Sequence, residues 1–178
     1  DYMDREDLWE DTLLIVCTDH GFLLGEHGWI AKNLPPCYQE IAHTPLFVWD
    51  PRSRKRGVRQ GNLVQTIDIP PTLYEYFGVD IPDTVQGHPL SIPMTKNKAV
   101  RAGALFGLHG GQVNCTDGRY VYMRTPVHPG MLHNYGLMPT HIVGFFDDEE
   151  LSSVELAGPF SFTKGLKVMR TKARPAHE

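Results

Sequence analysis

The chain has 178 residues, 41% of them hydrophobic and 21% charged, with a formal net charge of −4. That length buries a core without disulfide or metal staples, and the composition excludes a disordered or fibrous chain. The acidic balance argues against nucleic acid as the main partner, and the longest apolar run, Leu13 to Cys17, falls far short of the roughly 20 residues of a membrane-spanning helix.

Residues 1–10 read as the last turns of a helix, with Met3, Leu8 and Trp9 as sparse apolar positions. Their acids, Asp1, Asp4, Glu6 and Asp7, are unlike a secretory leader, which sets the cytoplasm as the expected location. Leu13 to Cys17 is continuous and apolar, with β-branched Ile15 and Val16, and predicts a strand buried on both faces of a parallel sheet. Pro45 to Trp49 is the second strand candidate, and Asp19 to His43 between them is a glycine-marked polar loop. Pro51 to Gly61 is a basic loop. Thr66 to Phe77 predicts a helix capped by Asp68 or Thr66, with Pro70 and Pro71 in its first turn and Gly78 at its end. Ile69, Leu73, Tyr76 and Phe77 would form its apolar stripe. Val79 to Asn97 reads as Pro-rich connection.

After about residue 98 the character changes. Ala102 to Leu108, Gln112 to Thr116 and Tyr120 to Arg124 are short strand-like runs, and Asp117-Gly118 is a strong hairpin signal. Met131 to Pro139 reads as loop, His141 to Phe146 as a strand, and Lys164 to Arg174 as a basic tail without an acid. His128, His133 and His141 show no metal-like pattern and are expected on surface loops. The expected organisation is an α/β part over 1–97 and an antiparallel-sheet part over 98–178.

The sharpest chemical feature is Thr18-Asp19-His20-Gly21, at the carboxyl end of the first strand, where open α/β sheets bind ligands. Asp19 offers a hard anionic oxygen and His20 an imidazole, so the pair can grip one divalent cation; a capped turn is the plainer alternative. Gly25-Glu26-His27-Gly28 follows, then Lys32, whose compact ammonium suits a sulfate or phosphate oxygen. His43, at the next strand's entrance, lines the same pocket or simply bonds at a loop end. Cys17, Cys37 and Cys115 are too widely spaced for a disulfide framework or a zinc finger.

Together these residues resemble the sulfatase family of the alkaline-phosphatase-like superfamily. The likeness rests on Thr18 to Gly21, Gly25 to Gly28, Lys32, Tyr38-Gln39-Glu40 and Pro45 to Trp49. It continues through the helix Thr66 to Phe77, the turn Gln86-Gly87-His88-Pro89-Leu90 and Asn114 to Met123, which is similar to the C-terminal sheet of bacterial members. Each motif is weak alone, but their order over residues 1 to about 125 is that of the family.

The resemblance implies hydrolysis of sulfate monoesters, with phosphonate or phosphodiester hydrolysis by relatives as the alternative. It implies one divalent cation, calcium first and manganese or zinc next, held by Asp19 and His20. Lys32 would contact the sulfuryl oxygens, with His27 and His43 as lesser pocket residues. The family nucleophile is a formylglycine made within a Cys/Ser-x-Pro-x-Arg motif. That motif does not occur here: Cys115 to Arg119 has Asp117 where Pro is needed. Two ligands complete neither a calcium nor a zinc site. The chain therefore reads as the C-terminal part of such an enzyme, inactive alone, with the remaining N-terminal part as its partner and neither nucleic acid nor membrane involved. A non-catalytic binding or scaffolding module is one competing reading. An anionic-polymer binder using Arg52 to Arg59 and the Lys164 to Arg174 tail is another.

Overall fold

The computed structural model describes residues 2–32, 36–53, 55–127, 132–141 and 144–173. The chain forms two compact units, Asp1–Gly107 with Val113–Arg124, and Leu108–Gln112 with Thr125–Glu178. Among the described residues no helix is long and apolar enough to cross a membrane.

In the first unit the expected opening helix is one turn, α1 (Tyr2–Arg5), followed by a 3-10 turn at Leu8–Glu10. Asp7 separates them because its φ of 50° is left-handed. The apolar run forms β1 (Leu14–Cys17), but its partner is antiparallel, β4 (Leu46–Trp49). This corrects the expected parallel strand buried on both faces. Val16 and Phe47 stand opposite each other and are 51% and 67% exposed. Trp49 secures one end: its indole N–H donates to the Trp9 carbonyl at 2.9 Å, and the two rings meet edge to face.

The polar loop between these strands is more ordered than expected. It holds a small hairpin, β2 (Leu23–Leu24) and β3 (Ile30–Ala31), and one helical turn, α2 (Gln39–Ala42).

The central helix is α3 (Ile69–Tyr76), entered through a 3-10 turn at Thr66–Asp68, with Pro70 and Pro71 in its first turn. Neither expected cap holds the start of α3 itself; instead the Asp68 carboxylate accepts the Gln65 N–H at the head of the 3-10 turn. The expected apolar stripe is not the buried face. Leu73 and Phe77 are exposed, while Pro71 and Thr72 turn inward. Thr72 is tied rather than merely packed: its hydroxyl donates to the Asp68 carbonyl at 2.6 Å and accepts the Leu90 N–H at 2.9 Å.

Asp68 is fully buried and saturated. It accepts from Gln65 N–H, from His88 N–H at 2.9 Å, and from both arms of the Arg101 guanidinium. Burial pushes its carboxyl up, but Arg101 and the two backbone donors more than offset this and hold it below the usual carboxylate value. The His88 turn comes this close because Gly87 has no side chain: a Cβ there would lie 1.9 Å from the Ile67 carbonyl oxygen. The segment expected as connection contains a further helix, α4 (Ser91–Lys96), anchored by buried Leu90.

Three antiparallel strands close the first unit: β5 (Ala104–Gly107), β6 (Val113–Thr116) and β7 (Val121–Arg124). The hairpin signal is realised. The Asp117 carboxylate accepts the N–H groups of Arg119 and Tyr120 at 2.8 and 2.7 Å. Those bonds hold its own carboxyl below the usual value.

The second unit is a three-stranded antiparallel sheet, β8 (His133–Gly136), β9 (Glu155–Ala157) and β10 (Val168–Lys172), in the order β8–β10–β9. Three expectations change here. The loop expected over 131–139 contains β8, so His133 lies on a strand. The basic tail contains the central strand, in which Val168 supplies the buried apolar position; Arg174 lies outside the described residues. The strand expected over 141–146 is only a bridge between Thr140 and Phe145, and residues 142 and 143 lie outside the described residues, as does His128. A helical turn, α5 (Asp148–Ser152), is capped by Asp147, which accepts the Glu150 N–H at 2.8 Å.

Candidate active site

The Thr18 to Gly21 turn leaves β1 and is fixed by its own short side chains. The Thr18 hydroxyl lies 3.2 Å from both the Asp19 carboxylate and the His20 carbonyl. The His20 N–H donates to Asp19 Oδ1 at 3.0 Å, and this bond leads the causes that hold the Asp19 carboxyl below its usual value. Gly21 then passes against α2: its N–H donates to the Ile41 carbonyl at 2.8 Å, and a Cβ would lie 1.7 Å from the Glu40 carbonyl oxygen. Only glycine fits this contact.

The His20 ring is oriented by two bonds. Its Nδ1 lies 2.8 Å from the Gly21 carbonyl, which can only accept, so Nδ1 carries the proton. Nε2 is left with a lone pair, 3.3 Å from Asp19 Oδ2. Two electron-rich atoms face each other at that point, and the Lys32 ammonium donates to Nε2 there. A backbone carbonyl that fixes the tautomer, an imidazole lone pair and a carboxylate oxygen are the donor chemistry of a cation site. The residues present fit half of one. Among the described residues, no group of three or more His, Cys, Asp or Glu side chains is placed to hold a metal.

The structure thus brings Asp19, His20 and Lys32 together. His27 and His43 belong instead to the surroundings of α2. His27 Nε2 lies 3.3 Å from both Glu40 carboxylate oxygens, and its ring stacks on Tyr38 with centroids 3.7 Å apart. Its φ of 57° sets the ring at the hairpin's tip. His43 Nδ1 meets the Gln39 side-chain amide at 2.9 Å. The Tyr38-Gln39-Glu40 motif therefore holds these two histidines. Glu26 accepts the Leu24 N–H and pins the hairpin below Lys32. Cys17, Cys37 and Cys115 are free thiols, with Cys37 buried.

Residues 25–106 match the family model described as N-sulphoglucosamine sulphohydrolase, C-terminal. The chain is 31% identical over 97 residues to an N-acetylglucosamine-6-O-sulfatase of Bacteroides thetaiotaomicron, covering 54% of this chain and 17% of that protein. It is 33% identical over 81 residues to an arylsulfatase of Clostridium perfringens, covering 43% and 16%. It is also 33% identical over 93 residues to the multifunctional alkaline phosphatase superfamily protein PehA of Trinickia caryophylli, covering 50% and 17%. The solved structure of BT4656 in complex with its substrate D-glucosamine-2-N,6-O-disulfate shares the fold, with a TM-score of 0.59 and 21% identity over 70% of this chain and 27% of that one. Over these residues the chain is similar to the C-terminal portion of sulfatases. It spans less than a fifth of the length of the three relatives named.

Proposed function

We propose that the chain is the C-terminal part of a metal-dependent, sulfatase-like hydrolase of sulfate monoesters. It supplies half of the cation site and one anion-binding lysine. The observation that carries this reading is the convergence of His20 Nε2, the Asp19 carboxylate and the Lys32 ammonium at the end of β1. Asp19 and His20 would hold a divalent cation, with calcium favoured and manganese or zinc as alternatives. Such a cation supplies Lewis acidity toward the ester oxygens when bound.

The chain's own residues have defined tasks. The Gly21 carbonyl keeps the proton on His20 Nδ1, so that Nε2, which here accepts from Lys32, would serve as a ligand once Lys32 turns to the anion. Lys32 brings a fixed positive charge to the sulfuryl oxygens. His27, held by Glu40 and Tyr38, and His43, held by Gln39, flank the site through α2, whose Ile41 carbonyl takes the Gly21 N–H. The formylglycine nucleophile and the remaining ligands come from the N-terminal part of the same longer protein, so the 178 residues alone are inactive. The name of the Bacteroides relative supports an amino-sugar sulfate as the substrate.

A second reading, hydrolysis of phosphonate or phosphate esters, draws support from the likeness to PehA. Parallel kinetics of the full-length protein on 4-nitrophenyl sulfate and on a phosphonate monoester separate the two. The sulfate ester should be turned over at the higher kcat/KM, and His20→Ala and Lys32→Ala should each lower it by about a hundredfold or more. A preference for the phosphonate selects the second reading. Turnover by the isolated chain, or full activity in both variants, overturns the half-site.

A further inference from the structure

We infer that His27, clamped by Tyr38 and Glu40, is a positioning residue for Lys32: it fixes the hairpin from which the lysine projects. The inference rests on the sulfatase reading for what Lys32 contacts, but the clamp stands on geometry alone.

Lys32 directly follows β3, so the β2–β3 hairpin places its backbone. That hairpin is slight. It has two paired positions, Leu23 with Ala31 and Leu24 with Ile30. Of these four residues only Leu23 is buried, while Leu24 and Ile30 are 77% and 74% exposed. A lone ribbon of two strands is marginal in water. Its inner bonds, Gly25 N–H to the Trp29 carbonyl at 2.9 Å and Leu24 N–H to Glu26, close the turn without tying it to other elements. His27 makes that tie at the tip. Its ring lies 6° from parallel to Tyr38, with centroids 3.7 Å apart, and its Nε2 reaches both oxygens of Glu40 at 3.3 Å.

The backbone shows that His27 is held in place. Its φ of 57° and ψ of 17° are left-handed, and Gly25 and Gly28 on either side also have positive φ. Glycine takes this conformation freely and histidine does not, so the ring contacts keep a histidine here. Tyr38 precedes α2 and Glu40 lies in it, and the next carbonyl, that of Ile41, takes the Gly21 N–H beside His20. The His20 turn and the Lys32 hairpin are thus fastened to the same helical turn. The lysine stem is flexible, so the place of the ammonium depends on where the hairpin sets its base.

The test has two readouts. Glycine accepts the left-handed backbone, so His27→Gly removes the ring without adding strain. In NMR relaxation of the 178-residue chain, the Ala31 and Lys32 amides should have order parameters of about 0.85 in the parent and below about 0.6 in His27→Gly. The amides of the Asp117-Gly118 hairpin should not change, which separates a loosened hairpin from misfolding. In the full-length protein His27→Gly should lower kcat/KM for 4-nitrophenyl sulfate by about tenfold or more. Combined with Lys32→Ala it should cost less than about a further twofold, because a residue that acts through Lys32 then has nothing to position. Tyr38→Phe keeps the stacking face and should match the parent in both readouts. An unchanged Lys32 amide in His27→Gly, or losses that multiply in the double variant, overturns the inference. A loosened hairpin in His27→Gly together with full activity in Lys32→Ala removes the sulfatase reading and leaves the clamp.

Discussion

Two carboxylates of the first unit, Asp68 and Asp19, lie in surroundings that could hardly be more different. Asp68 is fully buried, and each of its oxygens is matched by donors from Gln65, His88 and Arg101. Asp19 is exposed, its side chain 81% accessible, and stands 3.3 Å from the His20 Nε2 to which Lys32 donates. In the first arrangement each carboxylate oxygen already accepts two bonds, which suits it to holding structure. The second is open to solvent, and it is there that the proposed cation would sit. Burial and saturation, rather than the presence of opposite charges, distinguish a staple from a site.

The contrast can be broken most forcefully at Asp68. Replacing it with Ala leaves the Arg101 guanidinium without its partner and should cost about 3–5 kcal/mol, read by urea unfolding. A loss below about 1 kcal/mol would place this pair with ordinary surface bridges. The pH dependence has a definite sign. The folded Asp68 carboxyl lies below its unfolded value of about 3.9, so its stabilisation is complete above that pH and is lost as pH falls through the folded value. The acid limb of the parent's stability curve should therefore be steeper than that of Asp68→Asn; identical limbs would remove Asp68 from the account.

Glycine contacts test the same contrast at the next level. Gly87→Ala pushes a methyl into the Ile67 carbonyl, and Gly21→Ala pushes one into that of Glu40. Each should destabilise by about 1–3 kcal/mol in thermal unfolding. Gly87→Ala disturbs the Asp68 ring, while Gly21→Ala should also lower metal affinity by moving His20; unchanged calcium or manganese binding in a folded Gly21→Ala protein would detach the turn from the site. Asp117→Ala removes two bonds in the hairpin and should cost about 1 kcal/mol. Smallest of all should be the stability effect of Lys32→Ala, within about 0.5 kcal/mol, because nothing buried depends on it. A larger loss would make Lys32 a structural residue.

Much of this was legible in the residues. The apolar run of β1, the Asp117-Gly118 hairpin, the double proline opening α3 and the order of the sulfatase-like motifs all carry local signals. Asp19, His20 and Lys32 were singled out by chemistry and order, and the fold places them together. What escaped was non-local. The partner of β1 is 30 residues away, and nothing in Leu13 to Cys17 says that it runs antiparallel. Leu73 and Phe77 obey a helical stripe, yet Thr72 is the residue that faces inward, because its hydroxyl finds Leu90. The strand β10 was hidden by its charges, since lysine and arginine on one face of a sheet look in sequence like a tail. Gln39 and Glu40 were visible as letters, but their hold on His43 and His27 depends on the close approach of α2 to Gly21.

That approach has a mechanical consequence. Gly21 is bolted to Ile41, Glu40 holds His27, and Gln39 holds His43, so a single helical turn acts as a yoke for the Thr18–Gly21 turn and both flanking imidazoles. In deuterium exchange the amides of Gly21, Ala42 and His43 should lose protection in one shared event rather than in sequence.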